Sequence, residues 1–539
     1  MASSTFDFVV VGGGPAGCAV AAGLARSPKK PSVLLLEAGS DNAVHGLRVH
    51  SQRFTTLTNN ELNWGYKTSP QADCGGRVLD YSRGKGLGGS SAINFGVFSR
   101  GARDDYEEWA RIVDDDTFGW DAMLQRFRDV ESFDPTLPVG IDANKYSMPK
   151  ASDHGSSGPL RVGYADEWDK DFVQMLNTLE QAGWPLNPDY NSGNPMGIAP
   201  VINSAYHGVR STANDLLKPQ PSNLTIVTGA LVHRLILQGN QKVIGVEAND
   251  KVRYMALKEV VLSAGSLNTP SILMHSGIGP NKQLEAFQIP VIRNIEAIGQ
   301  GLRDHMFVPL IYTRTETSTS KFELGIGYNK LEGLESTPEF NSLPQAEQNL
   351  LLKETVPHFE IITHFPVHHF IPDFPSEASD YLCILVFYNN AQSRGEATLQ
   401  SADPTVPLKF DPKFLGSAFD RLVAVMSLRE AMKIAKHPAY SKDIATNLLV
   451  PQSESDEDLL LYWQQYIGSS WHMTGTVKMG VPGDVEAAVD KDFKLMGFDG
   501  LRIADMSVVP VLANCHVQAV AYVTGMTCAE RLIRDYQLS

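Results

Sequence analysis

The residues whose types and spacing could do chemistry begin at position 12. Gly12-x-Gly14-x-x-Gly17 has the spacing of a phosphate cradle. The first glycine permits a tight turn, the second lets backbone approach a pyrophosphate, and the third allows a helix to pack closely on a strand. Glu37 lies 20 residues beyond Gly17, where a carboxylate accepts ribose hydroxyls and repels a 2′-phosphate. Together these residues point to an adenine dinucleotide, and by themselves they do not separate FAD from NAD. Fourteen histidines offer bases and ligands. His358, His364, His368 and His369 crowd one stretch, but Pro366 and its β-branched neighbours favour extended chain over a helical ligand face, so no metal site is expected. His472 and His516 stand apart from the others, and spacing alone gives neither a role.

The elements that must position these groups are legible around the glycines. Phe6 to Val11 is β-branched and aromatic, as in a strand buried on both faces of a parallel sheet. A helix is expected from the glycine turn through Ala25, and a second strand over Ser32 to Leu36. Glu259 to Gly265 reads as a strand and Val520 to Tyr536 as a terminal helix, both returning to the same sheet. Gly86 to Ser91 packs small residues around Leu87, as a turn must whose amides lie against a flat ring or a diphosphate.

Two longer segments carry a family resemblance. Gly84 to Phe98, continuing to Gly101, and Gly265 to Gly279 resemble, position for position, the two signatures of the glucose-methanol-choline (GMC) oxidoreductases. Asn63-Trp64-Gly65-Tyr66, Asn223 to Val227 leading to Val232, Gly301 to His305 and Gly500 to Asp505 fall where that family has its landmarks. The resemblance covers nearly the whole chain and is weakest between about Met306 and Tyr388. It implies FAD as cofactor. It places Leu87, Gly89, Asn94, Phe95, Gly96 and Val97 along the diphosphate and isoalloxazine, Val232 at the adenine, and Ala504 and Asp505 near the phosphates and ribityl chain. Ala16, Ala38, Trp64, Ser90, Ala264, Trp471 and Val517 complete the implied cofactor wall. Some family members tether the flavin to a histidine near the first signature; Ser90 to Phe95 contains none, so the FAD is expected to be dissociable.

The same resemblance makes His472 and His516 the catalytic pair. Taking hydride from a carbinol carbon becomes feasible as the hydroxyl proton leaves, and a neutral imidazole is suited to accept it near neutral pH. His472 is expected as the base and His516 as the partner orienting the substrate oxygen, although the two could exchange roles. Met473 after His472, and Val517-Gln518 after His516, stand where many members have proline, which alters the walls beside the flavin and leaves oxidase and dehydrogenase both open. The implied activity is oxidation of the CH–OH of a small or aromatic alcohol to an aldehyde or ketone, with O2 or another acceptor. The alternative is an FAD-containing, non-redox lyase or cyclase of the same family. Trp471 and the aromatic stretches Phe359 to Phe370 and Tyr381 to Tyr388 lean towards an apolar or aromatic alcohol.

The expected fold class is α/β, α+β overall, with a Rossmann-like FAD-binding domain over 1–150, 205–310 and 490–539. Interleaved with it is a substrate-binding domain of sheet plus helices over 151–204 and 311–489. Composition agrees with a large, ordinary globular protein: 43% of the 539 residues are hydrophobic and 20% charged. The 46 Lys+Arg against 61 Asp+Glu leave a net charge of −15, a field that repels phosphate backbones and anionic lipid, so neither nucleic acid nor membrane is an expected partner. Five cysteines without a Cys-x-x-Cys pair fit buried thiols in a reducing compartment. The start of the chain lacks a basic region and a long apolar run, so a cytoplasmic location is expected. Oligomeric state is not legible.

Overall fold

The computed structural model describes residues 3–42, 46–168, 170–315, 323–371 and 381–539. Stretches 316–322 and 372–380 of the expected substrate-binding part, and the side chain of His369, lie outside the described residues.

Two seven-stranded sheets organise the chain. In the first, Ser3–Val11 lies between Val33–Leu36 and Arg253–Leu262, all parallel, with Leu224–Val227 beyond Val33–Leu36. Val9 sits opposite Leu34 on one side and Val260 on the other. Where they pair at the centre of the sheet these strands are apolar without alternation: Phe8 to Val11, Val33 to Leu36 and Val260 to Leu262 are all buried, as parallel strands covered on both faces must be. The hairpin Val232–Gln238 and Lys242–Ala248 extends the sheet antiparallel. Leu501–Ile503 returns from far along the chain to pair with the end of Arg253–Leu262. There Arg502, itself buried, grips Glu259 through Nε and Nη2 at 3.0 and 3.1 Å and Asp535 at 2.6 Å, tying that short strand to the sheet and to the terminal helix Gln518–Asp535. The strand expected over Glu259 to Gly265 therefore runs Arg253–Leu262, and the terminal helix starts two residues before its expected place.

The second sheet is antiparallel throughout, in the order Ile444–Leu449, Met306–Arg314, Tyr381–Tyr388, Phe359–Thr363, Gly325–Asn329, Gly197–Pro200, with Gly468–Ser469 beside Met306 and Phe307. Helices Ala418–Lys436 and Asp456–Tyr466 are joined by the buried Trp463 Nε1, which donates to the Ala424 carbonyl at 2.7 Å. Tyr388 donates to Asp420 Oδ1 at 2.8 Å and fixes the longer helix to the sheet. One end of this sheet matters most for function. There His305 precedes Met306, Glu360 pairs with Phe387 and Tyr328, and Ser469 leads within three residues to His472.

Among the described residues no helix is long and apolar enough to cross a membrane. The histidine stretch is a strand, Phe359–Thr363, followed by one 3-10 turn, Val367–His369. His358 accepts from the Leu331 amide at 3.0 Å, with its other ring nitrogen 3.1 Å from the Leu351 carbonyl, so it is spent on local structure. Among the described residues no group of three His, Cys, Asp or Glu side chains is placed to hold a metal ion. The five cysteines are buried and free.

Candidate active site

The cofactor end is made of backbone. Strand Ser3–Val11 runs into Gly12, whose φ of +106° an L side chain rarely adopts. Helix Pro15–Arg26 follows at once, with Gly14 as its N-cap and no side chain capping it, so its first amides are left for an anion. A Cβ on Gly17 would lie 1.9 Å from the Gly12 carbonyl oxygen; that approach brings helix and turn together. Glu37 is engaged by the chain itself. Its Oε2 accepts from the Gly13 amide at 2.8 Å, and its Oε1 accepts from Gly39 at 2.8 Å and Gly86 at 2.9 Å. One carboxylate thus clamps three loops and keeps acceptor capacity on Oε2.

The first signature docks on this cradle: the Gly88 amide donates to the Gly13 carbonyl at 2.8 Å, and Gly89–Ala92 forms a 3-10 turn. Arg210, fully buried, donates to both the backbone carbonyl and Oδ1 of Asn94, so Asn94 is fixed in place. Asp505 does the same for the second signature, accepting from the Gly265 amide at 2.9 Å and the Thr269 hydroxyl at 2.6 Å. Burial pushes the Asp505 carboxyl above the usual range against those hydrogen bonds.

A cavity of about 780 Å³ runs from this cradle to the histidines. Its wall brings together Gly12, Gly14, Ala16, Glu37 and Ala38 at one end, then Trp64, Gly89, Ser90, Asn94, Phe95, Gly96 and Val97, with Val232, Ala264 and Asp505. Trp471, His472, His516 and Val517 stand in the same wall. Three residues expected there are behind it. Gly17 packs on Gly12, Leu87 donates its amide to the Ser40 carbonyl, and Ala504 hydrogen-bonds Leu262 at the end of the central strand. An uncapped helix N-terminus, a glycine turn and an elongated cavity together fit an adenine dinucleotide carrying a flavin.

Side chains build the other end. Asp304 accepts from the Ser469 hydroxyl at 2.5 Å and the His472 amide at 2.7 Å, which sets the loop that carries His472. Burial pushes Asp304 up to about 7, against those hydrogen bonds and the Arg83 charge. Nδ1 of His472 lies 3.0 Å from Nδ1 of His305. Burial, then the neighbouring His516, hold His305 down to about 3; burial, His516, His305 and Arg83 hold His472 well below the ordinary histidine range. Burial therefore favours the uncharged form of both rings. His516 comes from the opposite side on a loop anchored at two points: its amide donates to Ser99 Oγ at 2.8 Å, and Asn514 donates its amide and Nδ2 to Asp105 at 2.8 and 2.7 Å. His516 Nε2 lies 2.7 Å from Glu360 Oε1. The rings of His472 and His516 stand edge to face with centroids 4.9 Å apart. An aromatic shell encloses them: Phe387 is 5.7 Å from His516, Phe307 packs on Phe387, and Trp471 meets both Phe95 and Phe307.

His305 and Glu360 were missed as members of this group. His305 closes the Gly301 to His305 landmark, which was a usable signal; Glu360 had none, being one acid inside a strand two residues beyond His358.

Family models for GMC oxidoreductase match residues 6–307 and, for the C-terminal part, 391–525. The chain belongs to the GMC oxidoreductase family. Among relatives, it is 30% identical to a glucose methanol choline oxidoreductase of Aspergillus terreus, with 98% of this chain and 93% of that one covered. It is 29% identical to choline oxidase of Arthrobacter globiformis, covering 98% and 94%. Among solved structures it is similar to a formate oxidase variant of Aspergillus oryzae (25% identical, TM-score 0.87, both chains fully covered). It also resembles a pyridoxine 4-oxidase (26% identical, TM-score 0.82, covering 98% and 99%). As a GMC protein it is an FAD-dependent oxidoreductase, and its Rossmann-like sheet and antiparallel second sheet are the two parts of the GMC fold.

Proposed function

We propose that this GMC protein oxidises the CH–OH group of a small or aromatic alcohol to an aldehyde or ketone. The observation that carries this reading is the pair of imidazoles, His472 and His516, meeting edge to face in the wall of the same cavity that holds the cofactor cradle. When bound, FAD supplies the two-electron acceptor for hydride. The histidines handle the hydroxyl proton, one as base and the other as hydrogen-bond partner of the substrate oxygen, help typically worth about 10²- to 10⁴-fold. The aromatic shell around them favours an apolar or aryl substituent on the carbinol carbon. Relatives named as a choline oxidase and a pyridoxine oxidase support an alcohol as substrate class.

The cofactor is held without a covalent bond in this reading, because Ser90 to Phe95 offers no histidine. Gly12, Gly14 and the helix start take the diphosphate, Glu37 and Ala38 the ribose, Val232 the adenine, and Asn94 to Val97 with Val517 the flavin. The chain divides into a cofactor domain around the first sheet (1–150, 205–310, 490–539) and a substrate domain around the second (151–204, 311–489).

Anaerobic mixing of the holoprotein with a panel of primary and secondary alcohols tests the proposal. Bleaching of the flavin absorption is expected with aryl or other apolar alcohols, and admitting air then separates oxidase from dehydrogenase by the speed of recolouring. A flavin that no alcohol bleaches while photoreduction still does would overturn it.

A further inference from the structure

We propose that His154 is a positioning residue that works as a buried imidazolium: it holds in place the strand that anchors the His516 loop, and base releases it. Its link to catalysis rests on the alcohol-oxidising reading, whereas its charge does not.

Four ionisable side chains, Arg100, Glu131, His154 and Asp189, meet outside the cavity wall. Arg100 and Glu131 are fully buried, and the side chains of His154 and Asp189 are 6% and 9% exposed. Nδ1 of His154 lies 2.9 Å from Glu131 Oε1, and its Nε2 lies 3.2 Å from Asp189 Oδ1. Both oxygens are already acceptors. Glu131 Oε1 accepts from Arg100 Nη2 at 2.6 Å and from the Gly155 amide at 3.1 Å, and Asp189 Oδ1 accepts from the Asn191 amide at 3.2 Å. The donors to these two oxygens must therefore include both ring nitrogens. A neutral imidazole has one N–H and cannot supply both, so the ring is an imidazolium. Burial alone would lower its pKa, yet the hydrogen bonds to Asp189 and Glu131 hold it above the ordinary histidine value, against the Arg100 charge.

The charged groups that face the ring come from three other stretches: Arg100, Glu131 and Asp189. Asp153 beside it turns its carboxylate to the Ser152 hydroxyl, 2.8 Å away. Phe133 covers the ring with centroids 4.4 Å apart, and Tyr164 packs on Phe133. Burial pushes Tyr164 and Tyr190 up, so neither adds a charge.

What the ring holds is the strand behind His516. Arg100 Nη1 donates to the carbonyls of Asp153 at 2.8 Å and Asn191 at 3.1 Å, and the Arg100 amide donates to Asn191 Oδ1 at 2.8 Å. Asn191 in turn donates Nδ2 to the Phe98 carbonyl at 3.1 Å. Between these two anchored residues, Ser99 Oγ accepts from the His516 amide. Removing the Nδ1 proton leaves a lone pair 2.9 Å from Glu131 Oε1, two acceptors face to face. Arg100 Nη2, 3.3 Å from Nδ1, then has a second acceptor and is drawn away from Glu131, which moves the guanidinium that ties this strand down. Nε2 has only Asp189 beside it and keeps its proton. A histidine held above its unfolded pKa stabilises the fold fully below that value, and the contribution is lost as pH rises through the folded one.

The ring protons can be seen directly. In holoprotein 15N-labelled at histidine, with His154→Gln identifying the signals, His154 is expected to carry both ring protons at pH 7 and to lose the one on Nδ1 only above the ordinary histidine range. Hydrogen exchange of segment 514–518, corrected for the intrinsic effect of pH, is expected to quicken about tenfold through that titration in the wild type. H154Q is expected to exchange at the faster level throughout, with Asp105, which anchors the same loop and is pushed up to about 7, left in both proteins as common background. The milder variant Asp189→Asn is expected to lower the pH at which His154 titrates. Bleaching by an alcohol that reduces the wild type is expected to slow through the same pH in the wild type and to show no such step in H154Q. A His154 with one ring proton at pH 7 would overturn the proposal, as would a titration that D189N leaves unmoved or exchange in 514–518 that follows one pH course in wild type and H154Q. If no alcohol bleaches the wild type, the functional reading falls, and the ring protons and the exchange still decide the role of His154.

Discussion

At one end of the cavity the groups that meet a ligand are backbone amides and glycine surfaces; at the other they are side chains. The cofactor cradle is almost contiguous: Gly12 to Gly17, Glu37 and the Gly86 to Ala92 turn are drawn together by three amides on one carboxylate and by an approach that any Cβ at Gly17 would block. The histidine end is assembled from five distant stretches, carrying Ser99 and Asp105, Asp304 and His305, Glu360, Ser469 to His472, and Asn514 to His516. A backbone-built site depends on its shape, which the Glu37 carboxylate and the glycines hold. A side-chain site depends on which proton sits on which nitrogen.

That contrast breaks most sharply at the histidines. His472→Ala is expected to keep FAD at wild-type stoichiometry and to slow alcohol-driven bleaching about 10²- to 10⁴-fold, the usual loss for one member of a proton-handling pair, as measured by anaerobic rapid mixing. Loss of FAD in that variant would mean the two ends are not separate. At the other end, Gly17→Ala forces a Cβ to within 1.9 Å of the Gly12 carbonyl oxygen, so helix or turn must move. A cost of about 3 kcal/mol is expected in chemical denaturation, together with a lowered FAD-to-protein ratio. Glu37→Ala leaves the Gly13, Gly39 and Gly86 amides without their acceptor. It should weaken FAD retention and cost about 1–3 kcal/mol, while the bleaching rate of whatever FAD stays bound is unchanged.

A further expected effect, read as a slope and not as a loss of function, sharpens the comparison through pH. Asp304, which positions His472, is pushed up to about 7 by burial. Unfolded, a carboxyl of this kind titrates near 4. Between those values the folded chain keeps a proton that the unfolded chain releases, so this group's contribution to stability falls as pH rises through the window, by at most about 1.4 kcal/mol per pH unit. Asp304→Asn should flatten that slope in thermal unfolding of the holoprotein, with Asp105, raised in the same way, left in both proteins as the common background.

The uneven legibility of the sequence has the same origin. Gly12, Gly14, Gly17 and Glu37 act over short spans, and the strands and helix that position them are read from β-branched runs and a turn, so the cradle could be seen in the spacing itself. Strand Arg253–Leu262 was expected to continue to Gly265, but the chain turns away after Leu262 to present Ala264 and Gly265 to the cavity, a bend that tertiary contact with Asp505 imposes. His472 and His516 were found through resemblance and not through any local pattern. Glu360 stayed hidden because its meaning depends on the register of Phe359–Thr363 against Tyr381–Tyr388, and a strand residue's partner across a sheet leaves no trace in its own neighbourhood. His305 was in view as part of a landmark, yet its role emerged only with Nδ1 of His472 beside it.

The most direct test compares His516→Ala with the wild-type holoprotein in anaerobic rapid mixing with an alcohol that bleaches the wild-type flavin. With FAD bound to the same extent in both, the expected result is bleaching slowed about 10²- to 10⁴-fold. Bleaching at the wild-type rate would contradict the assignment of proton transfer to this histidine pair.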